Sequence, residues 1–284
     1  APQSERLPSA ARSGAEAAFQ SIGGADPAIQ RLIGEAARLA PTALPLLVTG
    51  ETGTGKERLV RAIHTSQGGN RPFVSLTQDP LGHWGDVAGA AAGGTLFLDA
   101  PETLDTAAQA RLLHLIDSFD AMPARRRPRL VTASAADLSA LVRSGAFRAD
   151  LFFRLAAITL TLPPLRLRQD FDWLLDRMMR QFSHLHPQTL RLSPAARAEL
   201  KARAWPGNLR ELANTLVVAI ALAEGAVIDL PDLPPPPLAS PDRTETLAAV
   251  LAATGGNMAL AARRLGVNRS TILRRARREG LLAN

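Results

Sequence analysis

Cysteine is missing from all 284 residues, which rules out disulfides and thiolate metal sites and leaves the compartment unreadable from sulfur. Lysine is nearly missing too: Lys56 and Lys201 are the only two in a chain of 33 basic residues. No stretch approaches the roughly 20 apolar residues of a membrane span, and the first residues lack the apolar core of a signal peptide. The composition therefore predicts a soluble, cytoplasmic chain without a membrane partner. It begins at Ala1 rather than Met, which points to processing or to a longer parent. The length admits roughly one large domain or two to three smaller ones.

One of the two lysines lies in Gly50-Glu51-Thr52-Gly53-Thr54-Gly55-Lys56-Glu57. The apolar run Leu46-Leu47-Val48-Thr49 precedes it and a helical pattern through Leu59, Val60 and Ile63 follows. Glycines let the backbone curl around an anion, the N–H groups at a helix start face phosphate, and Lys56 reaches the β/γ oxygens. A plain glycine turn with a chance lysine is the alternative, and the flanking strand and helix argue against it. Glu57 departs from the generic pattern, in which Ser or Thr holds the magnesium.

The lead-in 1–21 is rich in Ala, Ser, Gly and Pro and reads as flexible. Asp26-Pro27 is a helix-start signal, with Ile29, Leu32, Ile33 and Ala36 as the apolar stripe. Strands are expected at 72–77, at Gly93-Gly94-Thr95-Leu96-Phe97-Leu98-Asp99-Ala100 and at 129–133, with a helix over 103–119. Strands alternating with helices predict an α/β fold: a parallel sheet with helices on both faces. Beyond Leu162-Pro163-Pro164 the pattern is helical only, at 170–182, 193–203 and 208–223, predicting a small all-α lid. A proline-rich linker follows over 230–242. From residue 241 onward there are eight Arg and three acidic residues, a local balance of +5 out of +7, so a nearly neutral core carries a basic, anion-seeking end.

Together these motifs resemble the AAA+ activators of sigma-54 transcription. The resemblance rests on GETGTGKE, Arg61-Ala62-Ile63-His64, GGTLFLD, FRADLFFRL from Phe147, LPPLRLR from Leu162 and WPGNLREL from Trp205, in that order. It implies a nucleotide-binding subdomain over 22–165 and a lid over 166–229, with ATP or ADP and Mg as cofactors. Gly50 to Glu57, Asp99 and Arg210 would hold the nucleotide, with Asp99 orienting magnesium and Arg210 as second sensor. Arg148 and Arg154 resemble arginine fingers reaching a neighbouring subunit's phosphate, which requires a dimer or a hexameric ring. His64 reads as a packing residue.

The chain departs from the family pattern where hydrolysis is concerned. The glutamate expected after Asp99 is Ala100, the asparagine expected at the end of the preceding strand is Thr77, and Ser134-Ala135 fills the first-sensor position expected as Thr-Asn. Glu102 is a substitute carboxylate, but its place beyond Pro101 argues against reach. Between the PFV strand and GGTLFLD only 78–92 remain, with Leu81-Gly82-His83 as a remnant, and the sigma-54-contacting GAFTGA tip is absent. The expectation is a transcription regulator that grips nucleotide but hydrolyses it poorly. Two alternatives remain open: an active ATPase that remodels sigma-54 RNA polymerase, and a DNA-bound scaffold that takes no nucleotide.

The basic end, 243–284, has helix-turn-helix spacing, with Gly266 as the turn residue. It resembles the Fis-type DNA-binding end of the same activators. Asn268, Arg269, Ser270, Thr271 and Arg274 are candidates for base or adjacent phosphate contacts on double-stranded DNA. Arg275 and Arg278, with Arg263, Arg264 and Arg277, are candidates for phosphate. The resemblance implies pairing as a dimer on a palindromic site.

Overall fold

The structure is a computed structural model that describes residues 18–19, 22–68, 70–76, 86–186, 188–236 and 254. The helix-turn-helix end, Thr77 and the Leu81-Gly82-His83 remnant lie outside the described residues, Thr254 apart. Contacts divide the chain into two compact units, Ala1–Leu233 and Pro234–Asn284.

The first unit is built on an all-parallel five-stranded sheet. Its strands are β1 (Leu46–Thr49), β2 (Phe73–Leu76), β3 (Thr95–Asp99), β4 (Arg129–Ser134) and β5 (Ile158–Thr161), in the order β2-β3-β4-β1-β5. The helices of this layer are α1 (Pro27–Leu39), α2 (Lys56–Ser66), the short α3 (Val87–Ala90), α4 (Thr106–Ser118), α5 (Leu138–Arg143) and α6 (Ala149–Leu155). Successive strand residues point to opposite faces. Leu46, Val48, Phe97, Val131 and Leu160 pack against Leu32 and Ala36 of α1 and Leu59 and Ile63 of α2. Leu47, Leu96, Leu98 and Leu130 pack on the other side against Leu112 and Ile116 of α4 and Leu151 and Leu155 of α6. Near-continuous apolar strands are what a sheet covered on both faces requires.

Local chemistry sets the ends of α1. Asp26 accepts from the N–H of Ala28 (2.8 Å) and Ile29 (3.0 Å), and Pro27 occupies the first turn. At the other end the buried Arg129 donates to Ala40 O (2.6 Å) and Leu39 O (2.8 Å), and burial pushes its pKa down to about 10. His64 is a packing residue, as expected: Nδ1 lies 3.0 Å from Thr95 Oγ1 and the ring meets Phe73 edge-on.

The lid consists of α7 (Phe171–Phe182), α8 (Pro194–Ala202) and α9 (Asn208–Leu222), packed around Leu175, Leu200, Trp205, Leu212, Leu216 and Ile220. Two expectations are corrected and one strand is added. The lid is not purely helical, because β6 (Arg191–Leu192) pairs in parallel with β7 (Val227–Ile228). Strand β5 was not anticipated; as an edge strand it buries only Leu160 well, so its alternation is too short to read. The helix expected over 103–119 starts at Thr106, capped by Asp105 accepting from Ala108 N (2.7 Å), because Pro101–Thr103 form a 3-10 turn instead. Among the described residues no helix is long and apolar enough to cross a membrane.

Candidate functional site

The carboxyl ends of parallel strands are where open α/β sheets bind ligands, and a cavity of about 470 Å³ lies there. Strand β1 ends at Thr49, and the loop Gly50 to Gly55 turns into α2. Gly53 has φ 82°, and a Cβ on it would sit 2.0 Å from the carbonyl oxygen of Gly207, so the lid approaches this loop too closely for any side chain. Gly55 caps α2 at φ 100° without a side-chain bond, leaving the first-turn N–H groups of the helix aimed outward.

Thr52, Gly53, Gly55, Lys56 and Glu57 line the cavity from the loop, Asp99, Ala100 and Glu102 from the end of β3, and Arg210 from the third residue of α9. The structure thus brings together most of the sequence-expected nucleotide residues. Lys56 Nζ donates to Gly50 O (2.7 Å) and Glu51 O (3.1 Å), which draws the loop around the ammonium. Burial pushes the lysine pKa down, Asp99 and Glu102 pull it up, and Arg210 adds to the lowering. Burial likewise pushes Asp99 up, against the pull of Lys56. Both shifts follow from charged groups gathered in one partly closed space.

Glu51 and Thr54 play a different part. The Glu51 carboxylate accepts two bonds from Arg166 (2.6 and 2.7 Å) and one from Asn208 Nδ2 (3.2 Å); the Arg166 bonds hold it below the usual carboxylate range. Asn208 also donates to Thr52 O (3.0 Å) and accepts from Leu165 N (2.7 Å). Glu51 therefore ties the loop to the lid. Thr54 is buried, its Oγ1 donating to Glu51 O (2.8 Å). Arg166 and Asn208 stood inside quoted motifs, yet their spacing alone carried no sign of this contact.

Glu102 departs from expectation, while Arg148 and Arg154, expected at a neighbouring subunit's phosphate, lie outside the cavity lining of their own chain. Arg148 pairs with Asp150 (2.7 Å) and Arg154 with Asp117 (3.0 Å) and Asp120 (3.1 Å) on the exposed side of α6. Glu102, whose reach was discounted because of Pro101, does line the cavity. Ala100 adopts a left-handed conformation (φ 52°, ψ 56°), and the turn Pro101–Thr103 brings the chain back. The Glu102 carboxylate then accepts from Ser134 Oγ (2.9 Å) and Ala135 N (3.1 Å), the pair that the sequence put at the expected first-sensor position.

Comparison with known proteins places this architecture. The family model for the sigma-54 interaction domain matches residues 23–165, that for the AAA+ ATPase lid domain 166–249, and that for the bacterial regulatory protein, Fis family, 244–278. The acetoin catabolism regulatory protein of Cupriavidus necator is 36% identical over 320 residues, covering 93% of this chain and 48% of that protein. The transcriptional regulatory protein ZraR of Salmonella typhimurium is 34% identical over 303 residues, covering 91% and 69%. The chain thus spans about half of the first relative and about two thirds of the second. Among solved structures, NtrX from Brucella abortus in complex with ATP aligns with a TM-score of 0.66 at 27% identity, covering 89% of this chain and 67% of that one. The RuvB Holliday junction branch migration motor of Thermotoga maritima, at 19% identity, covering 89% and 85%, and TM-score 0.56, shares the fold alone. With the sigma-54 interaction domain, the lid and the Fis-type segment matched in the order in which they follow one another, the chain belongs to the sigma-54-dependent transcriptional regulators of the AAA+ class.

Proposed function

We propose that this regulator binds DNA under the control of a bound nucleotide that it hydrolyses poorly. The observation that carries the reading is an intact grip beside a missing carboxylate: Lys56, Asp99 and Arg210 share a cavity with Ala100, whose methyl stands where the family pattern has glutamate. The cavity volume suits a nucleotide, and the α2 start with Lys56 suits its phosphates. One relative, NtrX, solved with ATP and with ADP, supports the same ligand class. ATP or ADP is held along Gly50 to Glu57, with Mg²⁺ carried by Asp99 and the phosphates. Arg148 and Arg154, already turned outward, reach the nucleotide of a neighbouring copy, so the site is completed in a dimer or ring.

The missing GAFTGA tip and the short connection between β2 and β3 support loss of the usual sigma-54 contact, leaving another polymerase surface as the target. The Fis-family match supports DNA binding through Asn268, Arg269, Ser270, Thr271, Arg274, Arg275 and Arg278, as a dimer. Nucleotide controls DNA occupancy only insofar as the two assembly states bind it with different affinity.

Phosphate release at saturating Mg-ATP, with Lys56→Ala as control and a fluorescent ATP analogue to report binding, tests the reading. The parent is expected to bind the analogue while Lys56→Ala does not, with release below about 1 per second, the lower end of ordinary turnover. Ala100→Glu is expected to raise release about 10²–10⁴-fold. Faster parental turnover sinks the impaired-hydrolysis reading, and failure to bind the analogue sinks nucleotide control altogether. The rival reading, an active ATPase that remodels sigma-54 polymerase, is favoured by one observation, the Glu102 carboxylate inside the cavity.

A further inference from the structure

Three acidic side chains line the cavity: Glu57, Asp99 and Glu102. Each has a different set of obligations. Glu57 sits in the first turn of α2 and is taken by Arg61, at 2.8 and 2.9 Å, on the exposed side of that helix. Asp99 closes β3, in register with Ala133, and is the group coupled to Lys56 and suited to the metal. Glu51, just outside the lining, is held by Arg166. Glu102 alone is fixed at the cavity wall by neutral donors only, Ser134 Oγ and Ala135 N, with no cation paired to it among the described residues.

That fixation has a backbone cause. A left-handed residue at Ala100 followed by a 3-10 turn puts the next carboxylate three positions beyond Asp99, two beyond the position of Ala100, while returning it to the same end of β3. Ala100 N donates to Ala133 O (2.8 Å) and Thr103 N to Ala100 O (3.1 Å), so the turn is locked to the sheet. The carboxylate has acceptor capacity beyond the two bonds from Ser134 and Ala135, it lines the cavity, and its charge is felt at both Lys56 and Asp99.

We propose that Glu102 is the carboxylate that orients and deprotonates water in whatever ATP hydrolysis this chain retains, a role displaced from the position of Ala100. The water oxygen bonds to the γ-phosphorus, the bond from that phosphorus to the β–γ bridging oxygen breaks, and its electron pair leaves with ADP. The water proton passes to Glu102 and from there to solvent. Hydrogen bonds from Ser134 and Ala135 hold the carboxylate in place, tying its position to the end of β4. The proposal rests on nucleotide binding at this cavity, as put forward above.

Glu102→Gln keeps the size and the acceptor oxygen but cannot take the proton, and Glu102→Asp keeps the chemistry at shorter reach. Phosphate release and affinity for the fluorescent ATP analogue are measured for the parent, both variants and Lys56→Ala. The expected result is release in Glu102→Gln lowered by about tenfold or more, to the Lys56→Ala level, with Glu102→Asp between it and the parent. Analogue affinity in both Glu102 variants stays at the parental value, which also shows that they fold. Release in Glu102→Gln equal to the parent's overturns the proposal. So does loss of affinity in step with release, which would make Glu102 a wall of the cavity only. A parent that binds the analogue yet releases no more phosphate than Lys56→Ala also overturns it, while leaving nucleotide control of DNA binding standing.

Discussion

Ala100 carries a left-handed backbone that costs an ordinary residue about 1–2 kcal/mol. The bonds that lock its turn to β4 offset that cost, and the same turn presents Glu102 to the cavity. Asp26 shows the opposite economy, a single side chain satisfying several donors at once. It is buried, and burial alone would raise its pKa, but the N–H groups of Gln169, Ile29 and Ala28 outweigh that and hold it below its ordinary 3.8. A carboxylate depressed in the folded state stabilises it at every pH above the unfolded value, about 3.9, and that contribution is lost as pH falls through the folded value. Asp26→Asn should therefore lower the melting temperature at pH 7 and flatten its decline between about pH 5 and pH 2. A parallel downward shift of the two pH curves would show that Asp26 acts only as a cap.

At the scale of elements, the segment joining β5 to α7 couples lid to sheet. Arg166 reaches Glu51 in the phosphate loop, Leu165 N reaches Asn208 at the start of α9, and Gln169 N reaches Asp26 before α1. In the middle lies the pair Arg168–Asp170, at 2.8 Å, with side chains only 3% and 1% exposed. The Arg166–Glu51 pair is much more open, so its direct worth to stability is small. Removing one partner of the buried pair leaves an uncompensated charge, so Arg168→Ala should cost about 3–5 kcal/mol in urea unfolding. A cost under about 1 kcal/mol would show that the pair is worth no more than an exposed one. The segment LPPLRLR was legible as a motif. Its role was not, because Glu51 and Asn208, the partners that tie it to the loop and the lid, lie far off in sequence.

For the whole molecule, the boundary between the two compact units falls after Leu233, which is buried in the lid core, whereas the sequence reading placed the extended linker from residue 230. The turn Leu230–Asp232 is held by a reciprocal Asp229–Asp232 cap, and its packing, not its prolines, decides where the lid ends. A chain ending at residue 236 should therefore unfold with the parental melting transition and keep the parental affinity for the ATP analogue, yet lose DNA binding. For the full chain, DNA affinity should fall steeply with salt, by about 0.9 in log–log slope for each phosphate neutralised. Titration of labelled duplex at several salt concentrations checks both. Truncated protein that still binds DNA would move the nucleic-acid surface into the first unit.

What the sequence determined by itself were the features that local rules write into neighbouring residues. The glycine pattern before Lys56, the buried strand ending at Asp99, the Asp26-Pro27 start and the absence of glutamate after Asp99 are all visible in runs of a few residues. They suffice for the α/β class, the phosphate loop and the family resemblance. Tertiary structure alone decided which side chains meet. The reach of Glu102 depends on a dihedral angle at Ala100, the Glu51 strut on residues more than a hundred positions apart, and the outward facing of Arg148 and Arg154 on the packing of α6. The physical reason is the same in each case: composition and periodicity set which face of an element is buried, whereas contact between distant elements is set only once the cores beneath them have packed.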